Sequence, residues 1–426
     1  MKSLFLFGKN GIEVEVPDGI ACREVRSRKA IAVPDETVAV ETVLDFPIAC
    51  PPLLELAQGK RTAAISVCDI TRPAPNRITL PPLLSRLRQA GIAKENILLL
   101  IATGLHRAAT PEEVDIIVGP EIAANYHVAS HNARAREEHR FIGETRRGTP
   151  VYVDERFVTA DLHITLGFIE QHLMLGFSGG RKLIVPGLAA QETIKVIHSP
   201  KFIREPLATE GSIEGNPLHE ELLECARMVR HDFIVDVALT QERKIAGVFA
   251  GNPVKAHAAG VEFVEKACLE EIDEPADLVI TSAAGFPLDL SFYQSVKGIT
   301  AASHLAKPGA RILVVAECAE GMGSEEFKRM ILTVGDFREY LDKVRDQPVG
   351  IDRWQVEKLA LAGVQNDIYF YAPGVTKAEL GPLAVRAFDT LNEAVSAMLR
   401  GLPRNARVTL VPEGPYTFAR ATAQVG

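Results

Sequence analysis

The strongest constraint on the fold is a repeating pattern, in which a short apolar run is followed by a polar loop and often by a helical pattern. The first half of the chain contains three such runs, Thr62–Asp69, Asn96–Gly104 and Asp161–Ile169. Each has the length of a buried strand, and the periodicity predicts a helix over Ile78–Ala90. Strands that alternate with helices form parallel sheets. The sequence therefore predicts an α/β domain.

A second series of the same kind follows the charged connector Glu265–Asp277. Its predicted strands are Asp277–Gly285, Ala310–Cys318 and Asn366–Gly374. At 426 residues the chain exceeds one ordinary core, so two domains are expected. We predict two α/β domains with largely parallel sheets, over residues 1–272 and 273–426, and an active site in the cleft between them. The tail from about residue 404 could return to the first domain.

Two local patterns complete the predicted secondary structure. The segments Ile12–Pro17 and Thr37–Asp45 are predicted as short strands of the first domain, because β-branched residues are frequent in them. Thr110 is followed by proline and, three residues after the threonine, by Glu113. This order is the signature of a capping box and predicts a helix that begins after Thr110.

Composition excludes several classes of protein. The net charge of −8 and the pI near 5.8 argue against nucleic acid as a partner. The sequence has no apolar run of about 18 residues, so no membrane span is expected. The apolar start breaks at Gly8 and Lys9, too early for a signal peptide. The six cysteines form no CxxC pair. We therefore expect reduced thiols, no zinc site and a cytoplasmic location.

Polar clusters follow the first two predicted strands of the first domain. Asp69, Ile70, Thr71 and Arg72 come after one strand, and His106 comes after the next. Ligands of open α/β sheets bind at the carboxyl ends of strands, so these residues are candidates for a site. Arg72 could bind a carboxylate and Asp69 a ribose hydroxyl. The alternative is structural, with Asp69 capping the turn and pairing with Arg72.

The segment Gln171–Pro200 holds the densest group of reactive side chains. His172 and His198 flank a glycine pair that leads into Lys182. Glycines allow a close approach of backbone to a ligand, and the lysine could serve as a phosphate-binding charge or as a nucleophile. The segment lacks the spacing of a phosphate-binding loop, and Leu183 replaces its hydroxyl residue. A kinase of that class is disfavoured, and an ordinary turn with a solvated lysine remains the alternative.

The second domain contributes one candidate cluster, at the start of a predicted helix. Gln294 and Lys297 are three residues apart and share a helix face, and Tyr293 is adjacent. They could bind an anion, or they could form a solvated face. Trp354, the only tryptophan, is predicted either in the core or in the wall of the cleft.

Taken in order, these motifs resemble those of the nickel-dependent lactate racemase family, whose enzymes carry a nickel-pincer nucleotide. The resemblance covers essentially the whole chain, through the patterns DxTR, GxHR, QH…SGGRK…HS and YQxxK. It implies that the cofactor, pyridinium-3,5-bisthiocarboxylic acid mononucleotide, is bound covalently to Lys182. It also implies that His198 is the sole protein ligand of nickel(II), in the square plane that this metal favours.

The resemblance implies roles for the remaining candidates as well. His106 and His172 would be the paired acid and base. Arg72, Tyr293 and Lys297 would orient the substrate carboxylate, with Gln294 nearby. Asp69, Ile70 and Thr71 would line the nucleotide-binding loop, and Arg72, Gln294 and Lys297 would also contact the cofactor. The implied reaction is the racemisation of a 2-hydroxy acid such as lactate, by reversible hydride transfer through a 2-keto acid.

Two alternatives remain open within this interpretation. The same chemistry could act on a larger acid of the malate, 2-hydroxyglutarate, aryl-lactate or aldonate type. The chain could instead be a maturation or carrier protein that binds the nucleotide without turnover, although a carrier needs neither His106 nor His172. Enzymes that synthesise and deliver the cofactor are the implied protein partners.

Overall fold

The computed structural model describes residues 1–381, 383–403 and 405–422. The chain divides into two compact units. Lys29–Ala267 forms one of them, here called the central unit, and Met1–Arg28 together with Cys268–Gly426 forms the other, here called the terminal unit. Each unit is built on a six-stranded sheet that is wholly or mostly parallel, so the predicted α/β class is confirmed.

The strands are short, and most of them lie in the two large sheets. In chain order they are β1 Lys2–Phe5, β2 Ile12–Glu15, β3 Ala21–Glu24, β4 Ala63–Cys68, β5 Ile97–Ala102, β6 His127–Ser130, β7 His139–Glu144, β8 Pro150–Asp154, β9 Leu162–Phe168, β10 Gln171–His172, β11 Gly176–Phe177, β12 Phe233–Leu239, β13 Ile245–Gly251, β14 Glu270–Ile272, β15 Ala276–Ser282, β16 Ala306–Val315, β17 Asp367–Tyr371, β18 Val385–Phe388, β19 Arg407–Val411 and β20 Ala419–Ala421.

The helices connect these strands. In chain order they are α1 Glu36–Asp45, α2 Leu53–Ala57, α3 Asn76–Gln89, α4 Pro111–Val118, α5 Pro120–Asn125, α6 Glu155–Val158, α7 Gln191–Ile197, α8 Pro200–Ile203, α9 Pro217–Val229, α10 Pro253–Cys268, α11 Phe292–Ser303, α12 Glu325–Ile331, α13 Phe337–Val344, α14 Arg353–Gln365, α15 Lys377–Leu380 and α16 Leu391–Leu399. Of the helices that the described residues form, none is long and apolar enough to cross a membrane.

The sheet of the central unit has the strand order β13-β12-β9-β4-β5-β6. All pairs are parallel except β12 with β13. Every residue of β4 and β9 is buried, as expected for strands covered on both faces. From β4 the chain proceeds to β5 and β6 on one side, and it later returns to β9 and β12 on the other. The order of strands therefore reverses between β4 and β9, where open α/β sheets usually bind ligands.

The terminal unit has a parallel sheet with the order β18-β17-β16-β15-β19-β3. Its strands include the three predicted for the second domain. The assignment of residues 1–28 to the first domain is wrong, because β3 pairs with β19. The tail does not return to the first domain. It supplies β19 to this sheet, and its strand β20 pairs with β14. These pairings are long-range contacts, which local sequence patterns do not encode.

The predicted strand over Thr37–Asp45 is also wrong, since these residues form most of helix α1. Val40 and Leu44, four residues apart, are fully buried on one face of the helix. The Asp35 side chain accepts a hydrogen bond from the Val38 amide and caps the first turn. Helical spacing and a cap outweigh the β-propensity of valine and threonine here.

The capping box at Thr110 is confirmed. The Thr110 hydroxyl accepts from the Glu113 amide, and the Glu113 carboxylate accepts from the Thr110 amide, at 3.3 and 2.9 Å. All six cysteines are free thiols.

We expect Thr110→Ala to lower the free energy of unfolding by about 1 kcal/mol, the usual contribution of an N-cap side chain. Thr110→Ser, which keeps the hydroxyl, is the control and should retain most of the stability. Urea unfolding, with amide hydrogen exchange in α4, measures the difference. Equal stability of the alanine and serine variants would contradict the capping role.

Candidate active site

The candidate site lies where three loops leave the carboxyl ends of neighbouring strands of the central unit. The loops follow β9, β4 and β5, which are consecutive in the sheet. Their strands are apolar and buried, whereas the residues immediately after them are polar. The first predicted cluster and both predicted acid/base histidines are on these loops.

Asp69 and His106 form a dyad across the ends of β4 and β5. The register pairs Cys68 with Ala102, so both loops start at the same level of the sheet. Nδ1 of His106 lies 2.6 Å from Oδ2 of Asp69, and the Thr71 hydroxyl donates to Oδ1 at 2.6 Å. Burial alone would raise the pKa of Asp69, but His106, Thr71 and Arg72 together lower it below its usual range. The carboxylate is therefore charged at neutral pH, and it holds the His106 ring with Nε2 directed away from Asp69.

Arg72 is not the partner of Asp69 that the structural alternative proposed. Its backbone amide donates to the Asp69 carbonyl, at 3.1 Å. Within the described part of the chain, the half-buried guanidinium makes no hydrogen bond or salt bridge of its own. A cation in this state, beside a buried strand end, suits an anionic ligand. Ile70 is half-buried between the two polar residues of the loop.

His172 lies on the β10–β11 hairpin, which follows β9. The amides of Met174 and Leu175 both donate to its Nδ1, at 3.3 and 3.2 Å. Nδ1 is therefore the unprotonated nitrogen, and the neutral ring carries its hydrogen on Nε2. The two predicted acid/base histidines thus differ in tautomer, because His106 has a carboxylate at Nδ1 and His172 has two N–H groups there.

Lys182 lies in a short 3-10 turn over Gly180–Leu183 that packs on the sheet. The Ser66 hydroxyl of β4 donates to the Leu183 carbonyl, at 2.8 Å. Burial raises the pKa of the Cys68 thiol at the end of β4 to about 12, and the positive charges of Arg72 and Lys182 oppose this rise. Both cations therefore lie near the same strand end.

The turn that bears Lys182 is also joined to the loop of His106. The Gly104 amide donates to the Gly187 carbonyl, and the Gly187 amide donates to the Lys182 carbonyl, both at 3.0 Å. Gly104 has φ +54°, a conformation that favours glycine. These backbone bonds fix the lysine turn relative to the histidine loop.

His198 follows helix α7 and is half-buried. Its Nδ1 donates to the Ile194 carbonyl at 2.8 Å, which leaves Nε2 as the nitrogen with a lone pair. Burial, aided by the charge of Lys182, lowers the pKa of His198 to about 4. A neutral imidazole with one N–H bound to a carbonyl is the usual state of a metal-ligating histidine. Because the charge of Lys182 contributes to the lowered pKa of His198, these two residues lie near each other.

A buried polar group beneath the lysine turn escaped the sequence analysis. Asp236 of β12 and Arg181 are almost completely buried, and His257 of α10 contacts Arg181. Asp236 accepts a hydrogen bond from the Gly180 amide, at 3.2 Å. The only available signal was the glycine pair, which we interpreted as space for a ligand. A Cβ on Gly179 would lie 2.7 Å from Oδ2 of Asp236, so the glycines also make room for this carboxylate.

The three candidates of the second domain lie on α11 in the terminal unit. Tyr293 is half-buried. Burial and the nearby Asp352 carboxylate raise the pKa of its hydroxyl, whereas a hydrogen bond with Trp354 opposes this rise. Trp354 is buried on α14. The amide oxygen of Gln294 is buried and has no partner within the described residues, and Lys297 is half-buried. The interdomain cleft stays a prediction, because the two units are described separately.

No group of three or more His, Cys, Asp or Glu side chains within residues 1–381, 383–403 and 405–422 could by itself hold a metal ion.

Comparison with known proteins covers both halves of the chain. The lactate racemase N-terminal domain matches residues 7–211, and the lactate racemase C-terminal domain matches residues 272–417. The lactate racemase of Thermoanaerobacterium thermosaccharolyticum is 34% identical over 422 residues, which cover 97% of this chain and 98% of that protein. That of Lactiplantibacillus plantarum is 36% identical over 383 residues, covering 89% and 90%.

Solved structures agree with the sequence comparison. The lactate racemase apoprotein of Thermoanaerobacterium thermosaccharolyticum matches with a TM-score of 0.90 at 33% identity, and the match covers 99% of this chain and 100% of that one. A Thermotoga maritima protein at 16% identity shares the fold, with a TM-score of 0.68 and coverage of 92% and 100%. The chain therefore belongs to the lactate racemase family of isomerases.

Proposed function

We propose that this protein interconverts the enantiomers of lactate with a nickel-pincer nucleotide attached to Lys182. The observation that carries the proposal is the convergence of Arg72, His106, Lys182 and His198 around the strand ends of the central unit, in a chain whose relatives are lactate racemases. A carrier protein would not need the Asp69–His106 dyad.

The residues present fit the proposed cofactor. Lys182 would hold the nucleotide through its amine, and His198 would bind nickel(II) through Nε2, since its Nδ1 is bound to the Ile194 carbonyl. The neutral state of His198 at physiological pH is the state that a metal ligand requires. When bound, the cofactor supplies reversible hydride transfer, which no side chain can provide. Enzymes that make and deliver this cofactor would be the partners of the protein.

The Asp69–His106 dyad supports proton exchange with the substrate hydroxyl. Nδ1 of His106 donates to the charged carboxylate, so Nε2 of the neutral ring carries the lone pair of a base. When Nε2 takes the hydroxyl proton, the imidazolium that forms is stabilised by Asp69 at 2.6 Å. A triad aspartate orients and stabilises its histidine in the same way.

His172 would contact the hydroxyl of the opposite enantiomer of the substrate. Its resting tautomer presents Nε2–H as a hydrogen-bond donor, because two peptide amides occupy Nδ1. To accept a proton in the reverse direction, the ring must leave this arrangement. The two histidines would therefore face the hydroxyl in unequal resting states, His106 with a lone pair at Nε2 and His172 with a hydrogen there.

The guanidinium of Arg72 would bind the substrate carboxylate, since it has no partner within the described residues and lies by the same strand end as Lys182. Family resemblance assigns Tyr293 and Lys297 to the same task, and it assigns Gln294 and Lys297 to cofactor binding; these assignments remain proposals. Fixing the carboxylate would leave the hydroxyl and Cα as the groups free to react.

The function is tested with protein co-produced with the cofactor-synthesis enzymes and incubated with each enantiomer of lactate. We expect both enantiomers to converge on an equal mixture, monitored by chiral chromatography. Enantiopure malate, 2-hydroxyglutarate and phenyl-lactate serve as comparison substrates. Faster conversion of one of these acids, with lactate unchanged, would contradict the lactate assignment.

In the same assay, His106→Ala and His172→Ala should each reduce racemisation by about 10²–10⁴-fold, the usual contribution of a general acid or base. Because the enantiomers have equal free energy, kcat/KM must fall equally in both directions. The double variant should lose little more than either single one. Activity near that of the wild type in either single variant would remove that histidine from the mechanism.

Lys182→Ala and His198→Ala should separate nucleotide attachment from metal binding. We expect Lys182→Ala to lose both the covalent mass increment and bound nickel, because the attachment point is gone. His198→Ala should keep the mass increment and lose most of the nickel. Intact-mass spectrometry and metal analysis of the same samples measure both, so each variant is the control for the other. Full nickel occupancy in His198→Ala would refute the ligand assignment.

Asp69→Asn should reverse the His106 tautomer, because the new amide can donate to Nδ1 and force the hydrogen onto Nε2. We expect kcat to fall about 10²-fold or more, with covalent loading at Lys182 unchanged. The comparison variant is Thr71→Val, which removes the hydrogen bond to the other carboxylate oxygen, and kcat is compared per covalently loaded enzyme because Thr71 would also line the nucleotide-binding loop. Similar kcat values for the two variants would show that Asp69 does not act through His106.

A further inference from the structure

A buried arginine, Arg181, connects the turn that bears Lys182 with the β10–β11 hairpin that bears His172. Arg181 directly precedes Lys182, yet its side chain is only 2% exposed. Its Nη2 donates to the carbonyl oxygens of Phe177 and Leu175, at 3.0 and 3.3 Å. Its Nη1 lies 2.8 Å from Nε2 of His257. The guanidinium therefore points into the unit, beneath the β10–β11 hairpin.

The buried carboxylate of Asp236 lies near enough to Arg181 to affect its charge. Burial lowers the pKa of Arg181 to about 9, and the charge of Asp236 opposes that shift. Asp236 is fully buried, and its Oδ1 accepts from the Gly180 amide at 3.2 Å. Isolated buried charges are strongly unfavourable, whereas a paired and hydrogen-bonded charge is tolerated. Arg181 has the hydrogen bonds but makes no direct ion pair with Asp236 among the described residues, and burial raises the pKa of Asp236 to about 7, so this carboxylate supports the arginine only at a distance.

Three glycines are required for this arrangement. A Cβ on Gly179 or on Gly167 would lie 2.7 Å or 2.9 Å from an oxygen of Asp236. Gly179 and Gly180 also have φ of +87° and +45°. The glycine pair therefore lets the backbone turn tightly over a carboxylate and places Arg181 on the buried side.

The two carbonyls that Arg181 binds belong to the hairpin that bears His172. The peptide amides at Nδ1 of His172 come from Met174 and Leu175. Leu175 thus donates to the histidine through its N–H and accepts from Arg181 through its carbonyl. The planar fork of a guanidinium can bind two carbonyls at once, which the single ammonium of a lysine does less well.

From these contacts we infer that Arg181 is a positioning residue, whose buried guanidinium holds the 173–177 turn so that the turn fixes His172 with its hydrogen on Nε2. The same residue joins this turn to the backbone of Lys182. The inference rests on the proposed function only for the catalytic meaning of His172, since the hydrogen-bond network can be measured without cofactor or substrate.

The test uses the full chain produced without cofactor and labelled with ¹⁵N-histidine. The ring nitrogens of His172 are assigned by comparison with His172→Gln. In the wild type we expect a protonated Nε2 and an unprotonated Nδ1. In Arg181→Met and Arg181→Lys, both nitrogens should move towards averaged shifts, because the turn no longer holds its two amides on Nδ1. Arg353→Met is the matched control, since it removes another buried arginine, paired with Glu357 in the terminal unit. It should leave the His172 signals unchanged.

Wild-type ring shifts for His172 in either folded Arg181 variant would overturn the inference, as would a wild-type spectrum with the hydrogen on Nδ1. Arg181→Lys keeps the positive charge at this position, so it decides the question if Arg181→Met does not fold. In loaded enzyme, Arg181→Lys should lower kcat by up to about 10²-fold with little change in KM. If the Arg181 variants lose the Nε2–H tautomer of His172 but the loaded wild-type enzyme does not racemise lactate, the proposed function is refuted and this inference is retained.

Discussion

Burial of the central sheet on both faces is the constraint on which the rest of this unit depends. Because β4 and β9 have no exposed residue, no polar group can project from their middle into solvent. Polar chemistry is possible only where these strands end and the chain must turn. Arg72, His106, His172 and Lys182 are all on such turns or on segments bonded to them.

Each of the three candidate histidines has a partner at Nδ1, and that partner determines what its ring can do. Asp69 makes His106 a base at Nε2, whereas two peptide amides make His172 a donor at the same atom. The Ile194 carbonyl leaves Nε2 of His198 with its lone pair. Three histidines of the same intrinsic chemistry thus have different tautomeric constraints, and each constraint comes from the atom opposite Nδ1.

The turn that bears Lys182 packs over buried polar side chains. The charge of Lys182 acts on Cys68 and His198, while the guanidinium of the preceding Arg181 binds the hairpin carbonyls in the interior. Adjacent residues therefore serve opposite sides of one turn. The glycines are needed on the buried side, where a Cβ would collide with a carboxylate.

Local patterns in the sequence determined the α/β class, three strands of each large sheet and the helix that begins after Thr110, since hydrophobic periodicity and capping act over a few residues. They also brought Asp69, Arg72 and His106 to one sheet edge. Only the tertiary structure decided that β3 and β19 pair, that the Asp69 carboxylate binds His106 and not the Arg72 guanidinium, and that Asp236 lies beneath the glycines. These contacts join residues that are distant in the chain. Which partner a buried polar group takes depends on the free energy of burying it with its hydrogen bonds satisfied, and local sequence patterns do not specify that partner.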